Sequence, residues 1–210
     1  MSSFVLYYFP INARAEPIKA ILSYAGANWK LESPEWPQGK SSQPVEKLPV
    51  LVETAADGSQ FTLSESLAIE EYLAKTFSLN VSDNLQNAAR QTELRSQIKD
   101  MWDMCIQYKF GTEESRKGTM EKYAALSKAV VAYHEEQLKL NGANGHYFGS
   151  KTTYLELAVF ATYLAIKDFI LPSFPQALDN FSKENAPLMN KVFETVSAEP
   201  RLASYLATFN

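Results

Sequence analysis

Residue types that could do chemistry gather in the first third of the chain. Tyr7 and Tyr8 close an aromatic and β-branched run that begins at Phe4 and is stopped by Pro10; Arg14-Ala-Glu-Pro-Ile follows. A phenol there can donate a hydrogen bond to a nucleophile. Strand alternation sends Tyr7 and Tyr8 to opposite faces, so one of them at most is the donor. Glu65-Ser66 stands at a helix start, where free N–H groups and the positive end of the dipole favour an anion. Ordinary helix capping uses the same residue types, and both roles can hold at once. The single cysteine, Cys105, excludes dithiol redox chemistry, an intrachain disulfide and a Cys-rich zinc site. His134 and His146 show no ligand spacing, so no metal is expected.

The elements that position these residues are legible from periodicity. Strands are expected at Phe4–Tyr8, Trp29–Leu31, Pro49–Glu53 and Phe61–Leu63, with helices at Ala15–Ala25 and Ser64–Phe77. Pro17 falls in the first turn of the first helix, where its missing N–H costs little. Pro34, Pro37 and Pro44 argue against regular structure between Glu32 and Glu46. A β-α-β unit demands a parallel pair with a right-handed crossover, and Asp57-Gly58 adds an antiparallel hairpin. Together they predict a four-stranded mixed sheet of thioredoxin-like type (β-α-β-β-β-α) over residues 1–78. A polar linker follows, and then an all-helical domain over 85–210. Its expected helices are a long one through Leu94–Ile106, Tyr123–Leu138, the strongly apolar Leu155–Ile170, Pro187–Val196 and Arg201–Phe209. Thr153 and Glu156 have the form of a capping box.

With 46% hydrophobic and 21% charged residues, the 210-residue chain can bury a core without staples. A net charge of −4 gives no overall electrostatic footprint for nucleic acid or an anionic membrane. No apolar stretch approaches the roughly 20 residues of a membrane span, and the N-terminus lacks a signal-peptide pattern.

The run Tyr-Phe-Pro-x-x-x-Arg-Ala-Glu-Pro-Ile from Tyr8 resembles the start of the cytosolic glutathione transferases that use a tyrosine, such as the pi, mu and sigma types. Trp36 and Lys40, Lys47-Leu48-Pro49-Val50, Glu65-Ser66, Phe148-Gly149, Thr153-Tyr-Leu-Glu156 and Glu199-Pro-Arg-Leu resemble later family motifs in the same order. The resemblance spans essentially the whole chain. It implies a cytoplasmic homodimer that binds glutathione as cosubstrate, with no metal, and conjugates it to a small, largely apolar electrophile.

The resemblance also implies roles. Tyr8 would stabilise the glutathione thiolate, with Arg14 supporting the Tyr8 hydroxyl or the helix start; an ion pair of Arg14 with Glu16 or Glu70 is the competing view. Ser66 would take the γ-glutamyl carboxylate and Glu65 the ammonium. Trp36, Lys40 and Lys47 would grip the glycyl carboxylate. Leu48-Pro49 resembles a cis-proline turn that offers backbone to the peptide. Asp100, with Asp103 as the other register, resembles an acid that reaches glutathione across a dimer interface. Phe9, Pro10, Met104, Tyr108 and Phe110 would line the electrophile pocket. Val45 stands where pi-like relatives carry an aromatic that plugs into the partner. Two other readings remain: an isomerase or peroxidase using the same thiolate, and a non-catalytic binding or structural relative.

Overall fold

The computed structural model describes residues 2–81 and 84–209; Ser82 and Asp83, within the expected linker, and the two terminal residues lie outside it. Four strands, β1 (Ser3–Tyr7), β2 (Asn28–Glu32), β3 (Val50–Thr54) and β4 (Gln60–Ser64), form one sheet in the order β2-β1-β3-β4. The β1–β2 pair is parallel and the other two are antiparallel, with Leu6 opposite Leu31 on one side and Leu51 on the other. This is the expected thioredoxin-like arrangement. The crossover is α1 (Glu16–Tyr24), and α2 (Ser66–Thr76) follows β4 directly.

Alternation along β1 decides which tyrosine faces inward. Phe4 and Leu6 are buried, and Tyr8 continues that face just past the strand end, its N–H still bonded to the Glu32 carbonyl at 3.0 Å. Tyr7 takes the other face, beside Glu32 and Lys30.

The remainder is helical: α3 (Leu85–Phe110), α4 (Glu113–Leu140), α5 (Tyr154–Ala165), α6 (Pro187–Ser197) and the short α7 (Ala203–Leu206). The start of α4 lies ten residues before the expected one. Its first turns, Glu113 to Lys122, carry almost no apolar residues, so periodicity misses them. Local chemistry supplies the start instead: the Thr112 side chain accepts from Ser115 N–H, and Glu113 and Glu114 complement the dipole.

The apolar run expected as one helix over Leu155–Ile170 divides. α5 ends at Ala165 and a wider π-turn covers Ile166–Ile170. Pro172 cannot continue the ladder. The Leu171 N–H reaches back to Ile166, and Lys109 from α3 donates to the Phe169 carbonyl at 2.7 Å. Thr153 and Glu156 form the capping box: Leu155 N–H donates to the Thr153 hydroxyl and Thr153 N–H to the Glu156 carboxylate. Glu156 also accepts from Tyr147 N–H, so one buried carboxylate ties the preceding loop to α5.

α1 lies against α5, and α3 is bound to α2 by a buried ion pair: Arg95 donates two hydrogen bonds, of 2.6 and 2.8 Å, to Glu70. That pair holds the start of α2 and the middle of α3 at a fixed distance, and the cleft lies between them.

Candidate active site

A cleft of about 370 Å³ opens where the sheet meets α3. One wall is the turn into β3: Val45, Lys47, Leu48 and Pro49, with the Leu48–Pro49 bond cis. The floor is the start of α2, with Ser64, Glu65, Ser66 and Leu67. The far wall is Arg14 with Lys99 and Asp103 of α3.

Glu65 sits immediately before the first helical residue with φ +72°, a conformation that costs a non-glycine residue of order 1–3 kcal/mol. It caps α2 with backbone alone; its side chain makes no cap bond and stays exposed. Ser66 is buried at the first helical position. The free N–H groups of the first turn, the Ser66 hydroxyl and the dipole end therefore open onto the cleft together.

Among the charged residues lining the cleft are three cations, Arg14, Lys47 and Lys99, and two carboxylates, Glu65 and Asp103, an excess of one positive charge. Asp103 accepts from Arg14 at 2.7 Å and from Lys99 at 2.5 Å. Partial burial works against its charge. Lys99 and Arg14 together outweigh that and hold the carboxyl below the usual carboxylate range. Arg14 thus pairs with neither Glu16, which binds Lys19, nor Glu70, which binds Arg95. It pairs from the loop after β1 to α3. No motif in the sequence signals that partner; only the packing of α3 against the loop after β1 does.

Tyr8 is not among the residues that line the cleft and is joined to its wall through Arg14. Its side chain is 5% exposed, and its hydroxyl oxygen accepts from the Arg14 backbone N–H at 3.1 Å. Burial pushes the phenol up to about 12, while the Arg14 N–H and charge pull it partly back. A phenol with that value is protonated at neutral pH. With its oxygen already accepting one bond, its own O–H remains to be given.

The other expected residues are dispersed. Lys40 is exposed, pairs with Glu46 at 3.4 Å and stands outside the residues that line the cleft. Trp36 packs edge-on against Phe9, whose ring also meets Tyr8, and Pro10 is exposed beside them. Asp100 faces solvent, whereas Asp103, one turn on, lines the cleft. Tyr108 stacks on Phe174, Met104 packs against the core, and Phe110 is 72% exposed near Phe169. Phe9, Met104 and Tyr108 all pack against the one hydrophobic core, Phe9 through Tyr8 and Trp36 and Tyr108 through Phe174. Lys99 was not expected; its (i, i+4) spacing to Asp103 was the available signal.

The model of the glutathione S-transferase N-terminal domain matches residues 2–75, and that of the glutathione S-transferase C-terminal domain matches residues 99–208. The chain is 30% identical over 187 residues to probable glutathione S-transferase 7 of Caenorhabditis elegans, covering 84% of this chain and 87% of the relative. It is 26% identical to glutathione S-transferase P 1 of Xenopus laevis, covering 98% and 92%. The sigma class enzyme of Fasciola hepatica superposes with a TM-score of 0.80 at 21% identity, over 100% of this chain and 97% of that one, a likeness of fold.

Proposed function

Since the chain belongs to the glutathione S-transferase family, we propose that the cleft binds glutathione and that Tyr8 stabilises its sulfur as the thiolate. The observation that carries this reading is the buried, protonated Tyr8, its oxygen held by the N–H of a residue that lines the cleft. Glutathione brings two carboxylates, one ammonium and a thiol. The γ-glutamyl carboxylate suits the Ser66 hydroxyl and the first-turn N–H groups of α2. The ammonium suits Glu65, and the glycyl carboxylate suits Lys47. The excess positive charge of the lining matches a tripeptide with one more carboxylate than ammonium.

A free thiol of pKa about 8.5 is mostly protonated at neutral pH. Lowering that by ~2 units takes ~2.7 kcal/mol, within reach of one charge-assisted hydrogen bond plus local positive charge. Tyr8 O–H supplies the bond and Arg14 the charge. The thiol proton leaves to solvent. The sulfur lone pair then forms a bond to the electrophilic carbon of an apolar acceptor while that carbon's bond to its leaving group breaks, the group departing to solvent with the bonding pair, giving a thioether. Catalysis on this account is positioning plus pKa tuning.

A homodimer, a cytoplasmic setting and a role in detoxification complete the proposal. The dimer reading is supported by Val45, a large apolar side chain left 66% exposed beside the cleft. A valine plug buries less area than an aromatic one, so a weaker dimer is expected.

The test is ultraviolet difference absorbance of the protein with glutathione from acid to mildly alkaline pH, for wild type and Tyr8→Phe. A thiolate band with a midpoint well below that of free glutathione, lost in Tyr8→Phe, supports the reading. Binding without that band refutes it. A band that survives in Tyr8→Phe moves the donor elsewhere.

A further inference from the structure

The loop 9–15 between β1 and α1 does two things for the site. Its Arg14 N–H meets the Tyr8 hydroxyl, and its Arg14 guanidinium meets Asp103. Little inside the loop fixes it: Ile11 N–H bonds Phe9, and Glu16 N–H bonds Ala13. It is held from outside instead. Lys19 reaches back from α1 and donates to the Ile11 carbonyl at 3.3 Å and to the Glu16 carboxylate at 2.6 Å. Asn12 donates to Asp168, in the π-turn, and to the Thr208 carbonyl near the end of the chain.

Lys19 is 8% exposed and Glu16 fully buried, in a helix whose residues from Glu16 to Leu22 are all buried. A buried ion pair is a poor stabiliser; well-packed apolar residues in its place are commonly as good or better. Apolar residues would serve the fold here. What they could not do is donate to the Ile11 carbonyl.

We propose that Lys19 is a positioning residue for Tyr8: by holding the Ile11 carbonyl it fixes the loop so that Arg14 N–H stays on the phenol oxygen and the phenol O–H is left for the ligand sulfur. The inference rests on the thiolate reading above. Tyr205 on α7 and Asp168 in the π-turn are the ionisable groups that face the Lys19–Glu16 pair, and Arg14 and Glu16 those that face Tyr8.

Lys19→Met alone would strand the Glu16 charge, so the informative variant is the double Lys19→Met/Glu16→Met, compared with wild type, Lys19→Arg, Asn12→Ala and Tyr8→Phe. For each, thermal unfolding, glutathione KM, and the pH midpoint of both the thiolate band and kcat are read. The double variant is expected to fold and to keep KM within about twofold. Its thiolate midpoint rises by about 0.5–1 unit, a three- to tenfold loss of rate below the midpoint. Lys19→Arg keeps charge and donors and restores the wild-type profile. Asn12→Ala shifts the midpoint the same way by less. A folded double variant with the wild-type midpoint overturns the proposal. Should the double variant not fold, an unchanged midpoint in Asn12→Ala, which alters only the loop's outer contacts, overturns it equally. A wild type with no thiolate band removes the activity reading itself, whereas a wild-type band lost in Tyr8→Phe and unmoved in these variants removes this inference alone.

Discussion

Arg95→Met breaks the ion pair that joins α2 to α3. Glu70 is fully buried and accepts both guanidinium bonds, at 2.6 and 2.8 Å. Removing Arg95 leaves a carboxylate out of water without its partner, which costs ~3–5 kcal/mol. For a chain of this size each kcal/mol moves Tm by about 2–4 °C, so Tm falls by roughly 6–20 °C. The outcome for Glu70→Met/Arg95→Met is different. Both charges go, and Arg95 Nη1 finds no partner among the described residues even in the native pair. The double variant is therefore expected within ~2 kcal/mol of wild type. Urea unfolding with a common m-value gives the four free energies of the cycle. Because α2 carries Ser66 and α3 carries Lys99 and Asp103, the single variants also raise KM for glutathione more than they lower kcat. A double variant that costs the sum of the singles would refute the reasoning, since the cost would then lie in packing rather than in a stranded charge.

Other outcomes follow from the same geometry. Tyr8 ionises to tyrosinate with a midpoint near pH 12 in the unliganded protein, read as the alkaline difference between wild type and Tyr8→Phe. Its folded value lies above the ordinary 10, so its share of stability is intact below pH 10 and falls by roughly 2–3 kcal/mol as the pH rises to about 12. Ser66→Ala raises glutathione KM about fivefold to thirtyfold through the loss of ~1–2 kcal/mol of hydrogen bonding, with kcat nearly unchanged; an unchanged KM would take the carboxylate away from α2. Glu65→Gly relieves a φ of +72° and gains about 1 kcal/mol in unfolding experiments, while glutathione binding weakens. Asp103→Asn lowers stability by about 1 kcal/mol above pH 4 and makes no difference below the depressed folded pKa, because the wild-type contribution is itself lost as the carboxyl protonates.

Local pattern set much of this protein before any packing. Alternation from Phe4 to Tyr8, Asp57-Gly58 and the Thr153/Glu156 box each act over a few residues, and each names its element without knowledge of the rest; the three prolines after Glu32 did not foretell the short 3-10 turns Lys40–Ser42 and Pro44–Glu46, the second of which begins on Pro44. Local pattern placed Tyr8 at a strand end and Glu65-Ser66 at a helix start; the choice of Tyr8 over Tyr7 and the interest of Lys47 came from the resemblance to the transferases. The early turns of α4 were not legible, because a solvated helix face carries no apolar period. Nor was the π-turn, which depends on Pro172 and on a lysine from another helix.

The pairings that complete the site belong to the tertiary structure alone. Arg14 with Asp103, Glu70 with Arg95, and Lys19 with the Ile11 carbonyl are choices among many possible opposite charges and carbonyls. The sequence supplies the charges. For Arg14 and Arg95, which carboxylate is met depends on ångström-scale distances that exist only after α3 has docked on the sheet, and for Lys19 on how the loop after β1 folds back over α1, because in water such contacts are too weak to select themselves.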